Sequence, residues 1–178
     1  MARFYKTLTA IILSSTLYLG TFGCERTAIV SPSPIPRPVN YSLCKGSAYC
    51  KEGIVTRIRD GDTLDFTNKD YIGGKGARLA LVAAPERKEP GGTEATKKLE
   101  ELCPIGREAL IDEDDGQKRG SFDRMVAVVW CGDIRSIYEA IRANEEMIKS
   151  GHAKIDLRFC SISEFGKDYW AIALGCPH

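Results

Sequence analysis

The sequence predicts an α+β fold, a small five-stranded β-barrel of the OB type with flanking helices. Three observations carry this. Short runs rich in β-branched residues come first, turn signals punctuate them, and helical periodicity is confined to one insertion and the later part of the chain. Gly53-Ile54-Val55-Thr56-Arg57-Ile58 alternates as a first strand, and Asp60-Gly61 after it is a strong hairpin signal. Residues 63–66 form the return strand, Gly73-Gly74-Lys75-Gly76 the next turn, and residues 77–82 the third strand. Ala95, Leu99 and Leu102 recur at helical spacing within residues 93–102. A short fourth strand is expected over 108–111, and the nearly continuous apolar run 125–130 is the fifth. Ile134, Ile137, Tyr138, Ile141 and Ile148 again repeat at helical spacing, up to Ser150-Gly151, where glycine suits a helix C-terminus. A last short helix is expected within 161–170.

The chain has 178 residues, which after a leader leaves one domain of roughly 130 residues, enough for a real core. Its 25 basic and 24 acidic residues give a net charge of +1. No global basic field exists, so nucleic-acid binding must rest on a local cluster. That argues against a duplex-wrapping protein but not against an enzyme gripping one phosphate at a time.

Residues 1–24 read as an export signal. Arg3 and Lys6 precede an uncharged apolar stretch over 8–22, shorter than the roughly 20 residues a spanning helix needs. The stretch ends at Gly23-Cys24, which resembles a lipoprotein processing site, with Thr21 where that pattern usually has leucine. A lipid anchor at Cys24 is expected, with ordinary cleavage or retention as an anchor the alternatives. The expected location is therefore extracellular, free or as a membrane-anchored lipoprotein. Residues 25–43, with Ser31-Pro32-Ser33-Pro34-Ile35-Pro36-Arg37-Pro38, form a Pro-rich linker, and 44–178 the folded domain. Setting Cys24 aside leaves Cys44, Cys50, Cys103, Cys131, Cys160 and Cys176, an even set that in an exported domain suggests up to three disulfides. No Cys-x-x-Cys pair is present and only His152 and His178 could join a cluster, which argues against a structural zinc site. Spacing does not dictate connectivity; the pairing expected is Cys44–Cys50, Cys103–Cys131 and Cys160–Cys176.

The residues that carry chemistry are Asp60-Gly61-Asp62-Thr63, then Arg78 and Pro85-Glu86, then Phe122-Asp123-Arg124. Singly they read as a turn, a strand arginine, a solvated loop and a charged strand end. Jointly they make a set for cutting a phosphodiester: carboxylates hold a hard cation, arginines grip a phosphate, and a glutamate moves a proton. Pro85 fixes the chain direction, so Glu86 is presented rigidly. A serine or cysteine hydrolase lacks a base beside any nucleophile.

In order and spacing these blocks resemble the staphylococcal nuclease-like (thermonuclease) family: Asp-Gly-Asp-Thr, then Arg78-Leu79-Ala80-Leu81-Val82-Ala83-Ala84-Pro85-Glu86, then an aromatic residue with an arginine two residues on. Gly92-x-Glu94-Ala95, Asn144-Glu145 and Gly151-x-Ala153-Lys154 extend the resemblance, which covers residues 52–157. It implies a monomeric, Ca²⁺-dependent endonuclease hydrolysing DNA and RNA, with Arg78, Glu86 and Arg124 as catalytic residues. Asp62 corresponds to a calcium-binding carboxylate, Asp60 to a partner close by, and Ala84 to a position where a main-chain carbonyl contacts the ion. Phe122 and Phe159, with Leu157, stand where the family has tyrosines that meet the nucleotide; phenylalanine can stack on a base but cannot donate a hydroxyl bond. Lys154, Lys118, Arg119 and Arg158 are the candidate phosphate contacts. Ala83 departs from the pattern, since the family places a calcium-ligating aspartate there. Asp65 is a substitute to consider, but it lies one strand turn away, which disfavours it. The missing ligand leaves an alternative, a catalytically weakened OB module that binds nucleic acid, which retention of Arg78, Glu86 and Arg124 opposes.

Overall fold

The computed structural model describes residues 38–118, 120 and 122–178. The leader with Cys24, most of the Pro-rich linker, and Arg119 lie outside the described residues. In chain order the elements are β1 (Cys50–Ile58), β2 (Thr63–Thr67), β3 (Lys75–Leu79), β4 (Val82–Ala83), α1 (Gly92–Leu102), β5 (Glu108–Glu113), β6 (Arg124–Gly132), β7 (Ala140–Arg142), α2 (Ala143–Lys149), β8 (Lys154–Ile155) and α3 (Tyr169–Ala173). Strands β3, β2, β1, β5 and β6 follow one another in antiparallel pairs, and β3 closes on β6 in parallel, which makes a five-stranded barrel. This is the expected OB-type α+β architecture. Closure leaves the barrel no open edge between these strands.

Phe66, Leu64, Leu79, Ile111 and Val129 fill the barrel, and Leu99 of α1 and Met147 of α2 seal it. A register shift between Val55 and Arg57 puts both Val55 and Ile58 on the buried face, three positions apart. That bulge breaks strict alternation while leaving Arg57 outside. A second cluster, with Leu81, Val126, Val128, Phe165 and Trp170, lies where the C-terminal segment packs on the barrel. The three disulfides are Cys44–Cys50, Cys103–Cys131 and Cys160–Cys176, as expected. Cys103–Cys131 ties the end of α1 to β6, and Cys160–Cys176 ties down the C-terminal tail. Among the described residues no helix is long and apolar enough to cross a membrane.

Three expected elements differ. The strand anticipated over 77–82 stops at Leu79: Leu81 is left-handed (φ 62°), which turns the chain so that Val82–Ala83 pairs with β8 instead. The helix anticipated from Ile134 begins only at Ala143. Residues before it form a turn and β7, which pairs with β6, and of the periodic residues there Ile134 alone is buried while Tyr138 is 91% exposed. The 161–170 segment is mostly turns, with α3 starting at Tyr169, because Trp170 and the Cys160–Cys176 bridge anchor it rather than helical packing.

Candidate active site

The acidic turn between β1 and β2 is held by close approach. A Cβ on Gly61 would lie 2.5 Å from the Ala95 Cβ and 2.7 Å from the Ala84 Cβ, so only glycine lets α1 and the segment after β4 press on this turn. Gly61 does not need a left-handed backbone; the Asp-Gly pair is there for space. The Asp62 N–H donates to Asp60 Oδ1 at 3.0 Å, which fixes the two aspartates relative to each other.

Asp62 is the hub. It is 4% exposed. Its Oδ1 accepts from Arg78 Nη1 at 2.6 Å and from Thr63 Oγ1 at 2.9 Å, and its Oδ2 accepts from the Ala84 N–H at 3.3 Å. Arg124 Nη1 donates to the same Thr63 hydroxyl at 3.1 Å. The strand register produces this: Thr63 stands opposite Arg78 across β2–β3, and Arg124 opposite Gly76 across β3–β6. The hydrogen bonds therefore run Arg124, Thr63, Asp62, Arg78. Burial pushes the Asp62 carboxyl up to about 6; the Arg78 charge opposes this and the Asp60 charge adds to it. Arg78 also donates through Nη2 to the Val82 carbonyl at 3.3 Å, leaving its other N–H donors for an incoming group.

Glu86 is exposed, and its backbone is set from two sides. Its N–H donates to Glu89 Oε2 at 3.0 Å, and Gly92 packs so tightly on its carbonyl that no side chain would fit there. With Asp60, Arg59, Arg87 and Lys88 it lines a cleft of about 280 Å³. Glu86 and the acidic turn thus face one depression.

Around this centre the other anticipated residues fall in three places. Phe122 is 92% exposed, with the Arg124 guanidinium 5.8 Å from its ring centroid. Phe159 lines a narrow cleft of about 40 Å³ with Arg78, Gln117 and Asp156. Lys154 stands opposite Ala83 in the β4–β8 pair and lines a cleft of about 440 Å³ with Ala83, Ala84, Glu89 and His152. Lys118 is held by Asp115, and Leu157 is exposed. Asp65 is taken up by Arg57 and Arg59, each at 2.7 Å or closer, so it does not replace the carboxylate missing at Ala83.

Sequence reasoning missed Asp156. It is 6% exposed, grips Arg158 through both oxygens at 2.8 and 2.7 Å, and accepts the Arg158 N–H. Those bonds, with the nearby Arg78 charge, hold its carboxyl below the usual range. It also places the Arg158 guanidinium 5.4 Å from the Phe159 ring. The signal available was Asp-x-Arg before an aromatic, an Asx-turn pattern.

A hard cation would draw on Asp62 and Asp60, which one hydrogen bond holds together, with the Ala84 carbonyl as the third donor that the family resemblance implies. Among the described residues no three carboxylates converge here tightly enough to share one ion. These donors fit a hydrated divalent cation with water completing its shell, not a preformed cage.

Among curated proteins, none matches this chain. A family model described as staphylococcal nuclease homologue matches residues 77–167, a span that contains Arg78, Glu86, Arg124, Lys154 and Phe159 and begins after the acidic turn. With half the chain matched and a closed OB barrel beneath it, the chain belongs to the staphylococcal nuclease homologue family, and its function is of the nuclease type.

Proposed function

We propose that the protein is a Ca²⁺-dependent endonuclease hydrolysing phosphodiester bonds of DNA and RNA, and that it works outside the cytoplasm. One observation carries the reading: Arg78 and Arg124 reach the same Asp62–Thr63 pair from neighbouring strands, which sets two guanidinium groups beside one buried carboxylate. Two such groups neutralise charge that grows on the phosphoryl oxygens as the phosphorus expands its coordination. Glu86, exposed in the adjoining cleft, orients the attacking water or takes its proton. Family members typically depend on a metal ion. Asp62, with Asp60 and the Ala84 carbonyl, would hold it, and a bound divalent ion supplies Lewis-acid polarisation of a phosphate oxygen. Arg78 donates to Asp62 meanwhile, so the carboxylate is oriented before an ion arrives. Phe122, Phe159 and Lys154 serve as substrate contacts at the rim.

Paired cysteines support export, as does the leader of residues 1–24; the Pro-rich linker 25–43 would then space domain 44–178 from a lipid-anchored Cys24. Extracellular calcium suits a site with few protein ligands. The test is digestion of single- and double-stranded DNA and of RNA with Ca²⁺ titrated against chelator. Glu86→Gln is expected to slow cleavage by roughly 10²–10⁴ while leaving binding intact. Retained binding without cleavage at any divalent concentration would mean the alternative, a binding module.

A further inference from the structure

At the far end of β1 from the acidic turn, Asp112 of β5 stands directly across from Cys50. Asp112 is fully buried. Its Oδ2 accepts the Lys45 N–H at 2.8 Å, whereas its Oδ1 is buried with no hydrogen-bond partner. A carboxylate oxygen of Asp112 and the sulfur atoms of Cys44 and Cys50 all lie within 4.8 Å of one another. A buried, unpaired carboxylate oxygen is costly, and protonation relieves it. Protonated, the Asp112 carboxyl is an acid within 4.8 Å of both sulfurs.

We propose that Cys44–Cys50 is a redox-active disulfide that exchanges with dithiol reductants, with Asp112 as the proton donor to its leaving sulfur. A thiolate of the reductant attacks one sulfur, the Cys–Cys S–S bond breaks, and its electron pair stays on the other sulfur. That sulfur takes the Asp112 proton. The second thiol of the reductant then attacks the mixed disulfide, releasing the remaining cysteine and leaving the reductant oxidised. In the reverse direction the Asp112 carboxylate accepts the proton from a cysteine thiol as the bond re-forms.

The surroundings suit this role. Burial pushes the Asp112 carboxyl up to about 7, against the Lys45 N–H bond and with the charges of Glu164, Asp115 and Asp114 adding to it. The nearby cations are engaged elsewhere: the Lys45 ammonium bonds the Glu164 carbonyl and the Asp168 carboxylate, and Lys118 pairs with Asp115. Val128, opposite Asp112 on β6, carries no charge. Cys44 and Cys50 are both partly exposed, so a reductant can reach them, while Cys103, Cys131, Cys160 and Cys176 are buried. Opening the bridge leaves the Lys45–Ser47 loop tied by its N–H bonds to Asp112 and Asp115, by the Ser47 hydroxyl on Asp115 and by the Lys45 ammonium on Glu164 and Asp168.

The experiment treats the oxidised, full-length protein with dithiothreitol from pH 5.5 to 8.5, quenches with an alkylating agent, and measures each disulfide by peptide mass spectrometry. Rates are divided by the reductant's thiolate fraction. Cys44–Cys50 is expected to open at least tenfold faster than the other two, with a corrected rate that falls as pH rises through about 7. Asp112→Asn should flatten that fall. Cys44–Cys50 opening no faster than the buried pairs overturns the proposal in the unaltered protein, whatever the variant does. An unchanged pH profile in a folded Asp112→Asn protein also overturns it.

Discussion

Lowering the pH from 7 to 5 is a direct probe of Asp62, because a divalent ion can use this carboxylate only when it has lost its proton. Its pKa is pushed up to about 6 by burial. About nine-tenths of it is ionised at pH 7 and about one-tenth at pH 5, so apparent Ca²⁺ affinity should fall roughly tenfold over that interval. An ordinary aspartate, near 3.8, would stay almost fully ionised throughout and would weaken binding very little. The same linkage requires the ion to displace close to one proton at pH 5 and only about a tenth of one at pH 7. Isothermal calorimetry in buffers of different ionisation heat reads both quantities at once. Asp112 titrates in a neighbouring range but stands beside Cys50, at the far end of β1 from the acidic turn, so its proton should not follow the ion. A change in affinity of twofold or less between pH 5 and 7, or proton release that does not vary with pH, would refute the assignment of Asp62 as the metal-binding carboxylate.

Other outcomes follow from the same geometry. Ala83→Asp, which returns a carboxylate to the edge of the site, should lower the Ca²⁺ concentration needed for half-maximal cleavage by about tenfold; an unchanged requirement in both Ala83→Asp and Ala83→Asp with Lys154→Met would show that position 83 does not face the ion. Removing Cys103 and Cys131 together, which opens a closure of 28 residues between α1 and β6, should cost about 3.6 kcal/mol by loop entropy, read as a shift in urea midpoint at constant slope. In the absence of divalent ions, both Asp62 (about 6) and Asp112 (about 7) hold protons more firmly folded than unfolded. Their stabilisation is complete below about pH 4 and is lost as pH rises through 6 and 7. The melting temperature should therefore be higher at pH 5 than at pH 8, and Asp112→Asn should reduce the difference; carboxyls held low, such as Asp156, are ionised in both states over this window and do not contribute.

The barrel was legible because its strands are long enough to show β-branched alternation and its turns carry Gly and Asp at the right places. What was not legible depended on where a periodic face finds its partner. Ile134, Ile137, Tyr138 and Ile141 have helical spacing, yet no surface lies opposite most of them, and the chain instead satisfies its backbone by pairing β7 with β6. Leu81 was invisible for a similar reason. A left-handed leucine is not a propensity feature; it is held by burial of its side chain, by the Asp156 N–H donating to its carbonyl, and by Asn144, which bonds the neighbouring Ala80 and Ala127 carbonyls. Asn144 is fully buried and also accepts the Val129 N–H, so one side chain repairs the gap where β3 and β6 part.

The candidate site divides along the same line. Asp60, Asp62, Arg78, Glu86 and Arg124 were readable because each sits in or beside a local motif. What joins them is not local: the Thr63 hydroxyl accepts from Arg124 and donates to Asp62 because β3 pairs with β2 on one side and with β6 on the other. The same holds for the alanine that replaces a carboxylate. Pairing of β4 with β8 sets Lys154 opposite Ala83, so an aspartate introduced there meets an ammonium as well as any bound ion, and cross-strand attraction competes with coordination. Loss of the carboxylate therefore does two things together. In the proposed nuclease it would thin the donor set for a cation, and it would leave Lys154 for the phosphate of a substrate.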